Sequence, residues 1–341
     1  MLTDGKLEQI LQRIPHLMMG VVGDLFLDRY LDVDATLTEP SIETGLDAYQ
    51  VVRVRSYPGA AGTVINNLAA LGVGRILPVS VIGDDGEGYE LRQALAALPA
   101  VVPEHVISRP DRRTPTYTKP MLNESGRPPR ELNRLDIKNR ARLAKEAEVA
   151  VGKALIDAFP RADALLVLDQ VSEPECGVVT THLRGLLTVL GRASPEKLIL
   201  ADSRERIGMF RHVCTKPNFA ECRRAVRGPD DAKVCAGKLA RRTGRPAFCT
   251  LSERGIVVAD ARDNPPRLAE VPAYSVTGPI DPVGAGDSTS AGIACALAAG
   301  ASLEEAAAFG NLVASITVQQ IGTTGTATPE QVRQRWGEVR S

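Results

Sequence analysis

Four times along this chain a short, continuous apolar run stops on a carboxylate. Residues 17–22 end in Gly23-Asp24, 75–82 in Gly83-Asp84, 164–168 in Asp169, and 197–200 in Ala201-Asp202. Runs with no polar face are what a strand buried on both sides requires. Helical patterns lie between them, and residues 3–13 form an amphipathic helix ahead of the first. Strand–helix alternation of this kind predicts an α/β chain with a mainly parallel central sheet and helices on both faces. In such a sheet ligands bind outside the carboxyl ends of the strands. That places Asp24, and Asp28 four residues on, where a ligand would sit. Taken singly, each reads equally well as a helix cap or a turn aspartate.

Two stretches break the pattern. Tyr49-Gln50-Val51-Val52-Arg53-Val54-Arg55 alternates as a strand exposed on one face, and residues 114–122 repeat the habit before a turn at Asn123-Glu124-Ser125-Gly126 and an extended 130–136. They read as a small β-sheet lid inserted at about 30–57 and 112–136 of a single domain spanning 1–337; ordinary surface hairpins are the plainer alternative. Between them, residues 58–72 form a glycine-rich entry into a helix, closed by Gly72.

The most informative heptapeptide is Asp281-Pro282-Val283-Gly284-Ala285-Gly286-Asp287, which opens into a run of small residues with helical character. The free N–H groups and dipole of a helix start favour an anion. Asp287, in the first turn, is placed to take a proton from a hydroxyl beside that anion. A base next to an anion hole is equipment for phosphoryl transfer to an alcohol. A capped turn is the plainer reading of the tetrapeptide alone. No Lys-Ser/Thr follows at P-loop spacing, and no third glycine completes a dinucleotide fingerprint.

Charge narrows the partners. Lysine plus arginine and aspartate plus glutamate both number 41, so nothing favours nucleic acid or an anionic membrane surface. Six scattered cysteines without Cys-x-x-Cys spacing and four dispersed histidines argue against a zinc cluster or disulfide framework. With no leader and no apolar run of spanning length, a cytoplasmic location is expected.

Together these pieces resemble the ribokinase-like (PfkB) carbohydrate kinases over nearly the whole chain. The resemblance implies a three-layer α/β sandwich, ATP and magnesium, with a potassium requirement left open. It implies that Asp287 is the general base and that the backbone of Gly284, Ala285 and Gly286 forms the anion hole. Lys216-Pro217-Asn218-Phe219-Ala220-Glu221 resembles the family's Asn-x-x-Glu element, so Lys216, Asn218 and Glu221 are expected at the nucleotide phosphates, the last two organising magnesium through water. Thr250, Ser252 and Gly255 resemble a nucleotide-contact turn. Asn311 matches a position near adenine, and Gly322-Thr323-Thr324-Gly325 resembles the closing loop. Asp24 matches the aspartate that holds sugar hydroxyls.

Within the family, residues 21–30, the 113–119 segment and Asn133-Arg134-Leu135-Asp136 are most similar to the kinase module that phosphorylates heptose 7-phosphate. Through it Lys119 and Arg134 are expected to hold an acceptor's phosphate, and Asp28 to join them. The family's double glycine is here Gly59-Ala60, and Thr63 replaces an asparagine, while Asn67 is kept; all four are expected at the acceptor. The leading expectation is an ATP-dependent kinase acting on a small sugar or sugar phosphate. A non-catalytic sugar or nucleotide sensor and a nucleoside or 6-phosphosugar kinase are the alternatives. A homodimer formed through the lid, with residues 51–54 as its edge, is also expected.

Overall fold

The computed structural model describes residues 2–340 apart from Asn264 and Thr323. In chain order the strands are β1 (Met18–Gly23), β2 (Leu25–Pro40), β3 (Asp47–Ala60), β4 (Arg75–Gly83), β5 (His105–Arg109), β6 (Thr116–Asn123), β7 (Arg130–Glu131), β8 (Leu135–Ile137), β9 (Ala164–Asp169), β10 (Leu198–Ser203), β11 (Cys214–Thr215), β12 (Ala247–Thr250), β13 (Ile256–Asp260) and β14 (Arg267–Val271). The central sheet runs β14-β13-β12-β11-β10-β9-β1-β4-β5. From β5 to β12 its pairings are parallel; β13 and β14 turn back antiparallel at one edge.

Each buried strand serves two cores because successive side chains face opposite ways. In β9, Ala164, Leu166 and Leu168 enter one core while Leu165 and Val167 enter the other. The first core is covered by α1 (Asp4–Arg13), α2 (Ala61–Ala70) and α3 (Gly86–Ala96), and the second by α4 (Lys145–Arg161), α5 (Thr181–Ala193), α6 (Phe219–Val226) and α7 (Ala232–Thr243). Then α8 (Ala285–Ala298), α9 (Leu303–Thr317) and α10 (Pro329–Arg340) return to the first face. The expected mainly parallel sheet with helices on both faces is therefore present. None of the described helices is long and apolar enough to cross a membrane.

The chain starts in the middle of this sheet, builds β4 and β5 to one side, then crosses to β9 on the other. The carboxyl ends of β1 and β9 thus flank a topological switch point, where the crevice of an open α/β sheet forms. A single residue, Asp24, separates β1 from β2, which leaves the central sheet to enter a second one ordered β3-β2-β6-β7, with β8 also on β6. There β2 pairs antiparallel with β3 from Leu25↔Ala60 onward and parallel with β6 from Leu27↔Thr116. This sheet begins at Leu25 rather than near Tyr30, because the buried Leu25 and Leu27 are already paired with the strand that leads into α2.

Candidate active site

Helix α8 is made of small residues and is buried all round from Ser288 to Ala296, which fixes its start at the carboxyl edge of the sheet. Gly284 caps it at φ +80°, and a Cβ there would fall 2.4 Å from Thr324 Cγ2. The turn needs a glycine on both counts. Behind that cap the first-turn N–H groups have few acceptors within the helix; that of Ala285 is met by the Pro282 carbonyl at 3.1 Å.

Asp287 is half-buried in this first turn. Desolvation and then the Asp202 carboxylate push its pKa up to about 7, against the pull of Lys216 and Arg204. Lys216 Nζ lies 2.9 Å from Asp202 Oδ2, and Ser290 Oγ donates to the same oxygen at 3.2 Å. Burial alone would lower the Lys216 pKa, but the carboxylates of Asp202, Asp287 and Glu221 outweigh it and hold the ammonium above its ordinary value. A Cβ on Gly286 would stand 3.8 Å from Lys216 Nζ, so the cation abuts the start of α8.

Asn218 and Glu221 form a reciprocal capping box. The Asn218 N–H donates to Glu221 Oε2 at 2.8 Å, and the Glu221 N–H to Asn218 Oδ1 at 2.9 Å. Burial, then Asp202, raises the Glu221 carboxyl above its usual range. The 250–255 turn is tied to this element, since the Thr250 N–H donates to the Pro217 carbonyl at 2.9 Å. Ser252 and Gly255 close that turn. Asn311 is buried and donates to the carbonyls of Val271 and Pro272 at 3.2 and 3.0 Å, anchoring the chain after β14. The Gly322 N–H donates to Asp281 Oδ2 at 3.2 Å, joining the 322–325 loop to the heptapeptide; Thr323 lies outside the described residues.

Across the crevice, Asp28 lies 3.7 Å from Lys119 Nζ, which donates to the Tyr30 hydroxyl at 3.1 Å. Burial raises the Asp28 pKa, against the pull of Lys119 and Arg134. A Cβ on Gly59 would meet Asp28 Cγ at 2.9 Å, so the bare backbone is what lets the carboxylate lie there. Ala60 keeps the glycine-like conformation of a double-glycine turn, at φ +54°. Thr63 stands behind Gly284, its Cγ2 3.6 Å from the place of a Cβ there.

Three expected acceptor residues sit differently from that expectation. Asp24 is 2% exposed, and its carboxylate accepts from the backbone N–H groups of Val178 at 2.7 Å and of Gln170 and Val171 at 3.3 Å. It clamps the loop after β9 instead of presenting itself to the crevice. Asn67 is fully buried, its amide donating to the Thr63 carbonyl at 2.9 Å. Arg134 is held by both oxygens of Asp136, at 2.7 and 2.9 Å, and stacks over Tyr117 at 4.3 Å.

The residues that sequence reasoning missed are Ser290 and Arg204, together with the partnership of Asp202 and Lys216. Arg204 carried a usable signal, two residues past the aspartate that ends a parallel strand.

The chain resembles known proteins over most of its length. Residues 187–331 match the pfkB family carbohydrate kinase description. Over the chain's length the bifunctional protein HldE of Azorhizobium caulinodans is 28% identical across 310 residues, covering 89% of this chain and 61% of that protein. HldE of Rhodopseudomonas palustris is 30% identical across 335 residues, covering 95% and 64%. The chain thus spans less than two thirds of the length of these relatives. Among solved structures, phosphofructokinase-2 from Escherichia coli in complex with potassium superposes with a TM-score of 0.68 at 18% identity, covering 95% of this chain and all 100% of that one. Ribokinase of Arabidopsis thaliana, complexed with ribose and ATP, does so with a TM-score of 0.65 at 16% identity, covering 94% and 98%. The fold is therefore the ribokinase-like α/β fold. Residues 187–331, which carry the C-terminal half of the site, thus match the PfkB family of carbohydrate kinases.

Proposed function

We propose that this chain transfers the γ-phosphoryl group of ATP to a hydroxyl of a sugar or sugar phosphate, with Asp287 as the general base. One observation carries the reading: the carboxylate with a pKa near 7 stands in the first turn of α8, beside N–H groups that favour an anion. Asp287 takes the hydroxyl proton as the acceptor oxygen bonds to the γ-phosphorus. The bond from that phosphorus to the bridging oxygen breaks, and ADP departs with the electron pair. The backbone at Gly284, Ala285 and Gly286 stabilises charge on the transferred group, and Lys216 steadies the ionised base.

Magnesium suits the donor set here. Among the described residues no three histidine, cysteine or carboxylate groups form a direct cage, and magnesium keeps several waters while binding few carboxylates. Glu221 and Asn218, with lone pairs left over from their capping bonds, would hold the ion through water, where it neutralises phosphate charge. Thr250, Ser252, Gly255, Asn311 and Gly322 frame the nucleotide end; Asp28, Lys119, Gly59, Ala60 and Thr63 frame the acceptor end. Likeness to HldE supports a heptose 7-phosphate-like acceptor. The edge strand β3, with Tyr49, Val51 and Val54 exposed, is the surface on which a homodimer would pair; a monomer by light scattering contradicts that.

The withdrawal of Asp24 and Asn67 from the crevice favours a second reading, a sugar or nucleotide sensor without turnover. An ADP-release assay with magnesium-ATP over a panel of sugars, sugar phosphates and nucleosides separates the two. One acceptor well above the rest supports the kinase. Thermal stabilisation by ligands with no turnover on any acceptor supports the sensor.

A further inference from the structure

Residues 170–180 carry the chain from β9 to α5 without a helix or strand. Their buried backbone groups therefore need partners from elsewhere. Two charged side chains supply them, one for each kind of group. Asp24 takes the N–H groups of Gln170, Val171 and Val178. Arg206, 8% exposed and just past the end of β10, takes the carbonyls. Its Nη1 donates to Val171 at 2.9 Å, and its Nη2 to Ser172 and Glu173 at 2.9 and 3.1 Å. Nη1 also reaches Asp169 Oδ1 at 3.2 Å. Ser203 closes the circuit: its hydroxyl donates to Asp169 Oδ2 at 2.7 Å and accepts from the Arg206 N–H at 2.9 Å. One guanidinium thus fixes three successive carbonyls and a carboxylate, a task for a planar fork of donors and not for a single ammonium.

The clamped segment borders the acceptor end of the crevice. Gln170, Val171, Ser172 and Glu173 line a cavity shared with Phe26 and Tyr117 of the small sheet, and Tyr117 stands opposite Asp28 in the β2–β6 register. Arg206 is not part of that lining. We infer that Arg206 is a positioning residue for the acceptor: through three carbonyls it sets where residues 170–173 stand, and with them one wall of the acceptor's end of the crevice. The inference rests on the kinase reading above. A guanidinium is costly to bury, and here its side-chain hydrogen bonds all go to this loop and to Asp169 at its root. Such a wall matters because a displacement of about 1 Å in a bound reactant can slow transfer by about 100-fold.

Two variants test this. Arg206→Lys keeps the charge and loses the fork. Ser203→Ala loosens Asp169 and the Arg206 N–H from a residue outside the cavity lining. Deuterium exchange and steady-state ADP release are measured on both and on the wild type, with magnesium-ATP and with ribose, fructose 6-phosphate and sedoheptulose 7-phosphate as acceptors. In Arg206→Lys the KM of the sugar that the wild type uses best is expected to rise about 10-fold or more, with the KM for ATP within about twofold. The amides of residues 172–177 exchange about 10-fold faster while those of β9 keep their rate. Ser203→Ala moves both readouts the same way by less, and it carries the test alone if Arg206→Lys does not fold. Equal rises in both KM values, the result of a merely structural arginine, overturn the inference. So does loop exchange at the wild-type rate, or an unshifted acceptor KM. Absence of ADP release by the wild type on all three sugars overturns it together with the kinase reading, so the two failures are distinguishable.

Discussion

Lys216 Nζ sits 2.9 Å from Asp202 Oδ2 while its charge also favours the ionised form of Asp287, so one buried ammonium serves two carboxylates. Removing it has a signed consequence. In Lys216→Met the Asp287 pKa rises above about 7, and the acid limb of the kcat/KM profile moves to higher pH. Activity then falls more at pH 6.5 than at pH 8.5. An acid limb left in place contradicts the coupling. Stability also drops by about 3–5 kcal/mol, because Asp202 is left without its partner.

Asp287 carries a stability cost that depends on pH. Its folded pKa, about 7, lies above the ordinary 3.8. The folded chain therefore holds a proton that the unfolded chain releases, and the group's stabilising contribution is full below about pH 4 and lost as pH rises through about 7. Asp287→Asn, which cannot ionise, gains stability over the wild type at pH 8 and not at pH 4. Melting curves at the two pH values check this; equal shifts at both argue against a raised pKa.

Gly59 and Asp28 make a case where space alone matters. In Gly59→Ala the new methyl displaces the Asp28 carboxylate, whose Cγ would be 2.9 Å away. The acceptor KM is expected to rise about 10-fold, or 1.4 kcal/mol, with the KM for ATP unchanged. Equal effects on both substrates mean a general distortion instead.

Ala60 is a non-glycine residue at φ +54° and ψ −115°, outside the regions open to L side chains. Ala60→Gly relieves that strain and is expected to raise stability by about 1 kcal/mol after the entropy of an extra glycine is offset. Chemical denaturation measures it; a loss of stability contradicts the strain.

Much of the scaffold was legible. The runs at 17–22, 75–82, 164–168 and 197–200 became β1, β4, β9 and β10 because burial on both faces leaves an unambiguous apolar signature. By contrast β11 is two residues long and carries no pattern. The early start of the small sheet was hidden because Leu25 pairs with Ala60, a distant partner that no local pattern announces. At the site, local geometry could be read and long-range pairing could not. Gly284 announced the turn before α8, whereas the fate of Asp24 depends on N–H groups 146 to 154 residues away. Likewise nothing in the sequence distinguishes Arg204, whose guanidinium has no hydrogen-bond or ion-pair partner among the described residues, from Arg134, chelated by Asp136.

The most direct test of the central claim is sugar-dependent ADP release by the wild type and Asp287→Asn, at saturating magnesium-ATP and the best acceptor found. The general-base role predicts that kcat falls by about 10²–10⁴-fold while ATP still binds with wild-type affinity. Turnover at the wild-type rate in Asp287→Asn would contradict it.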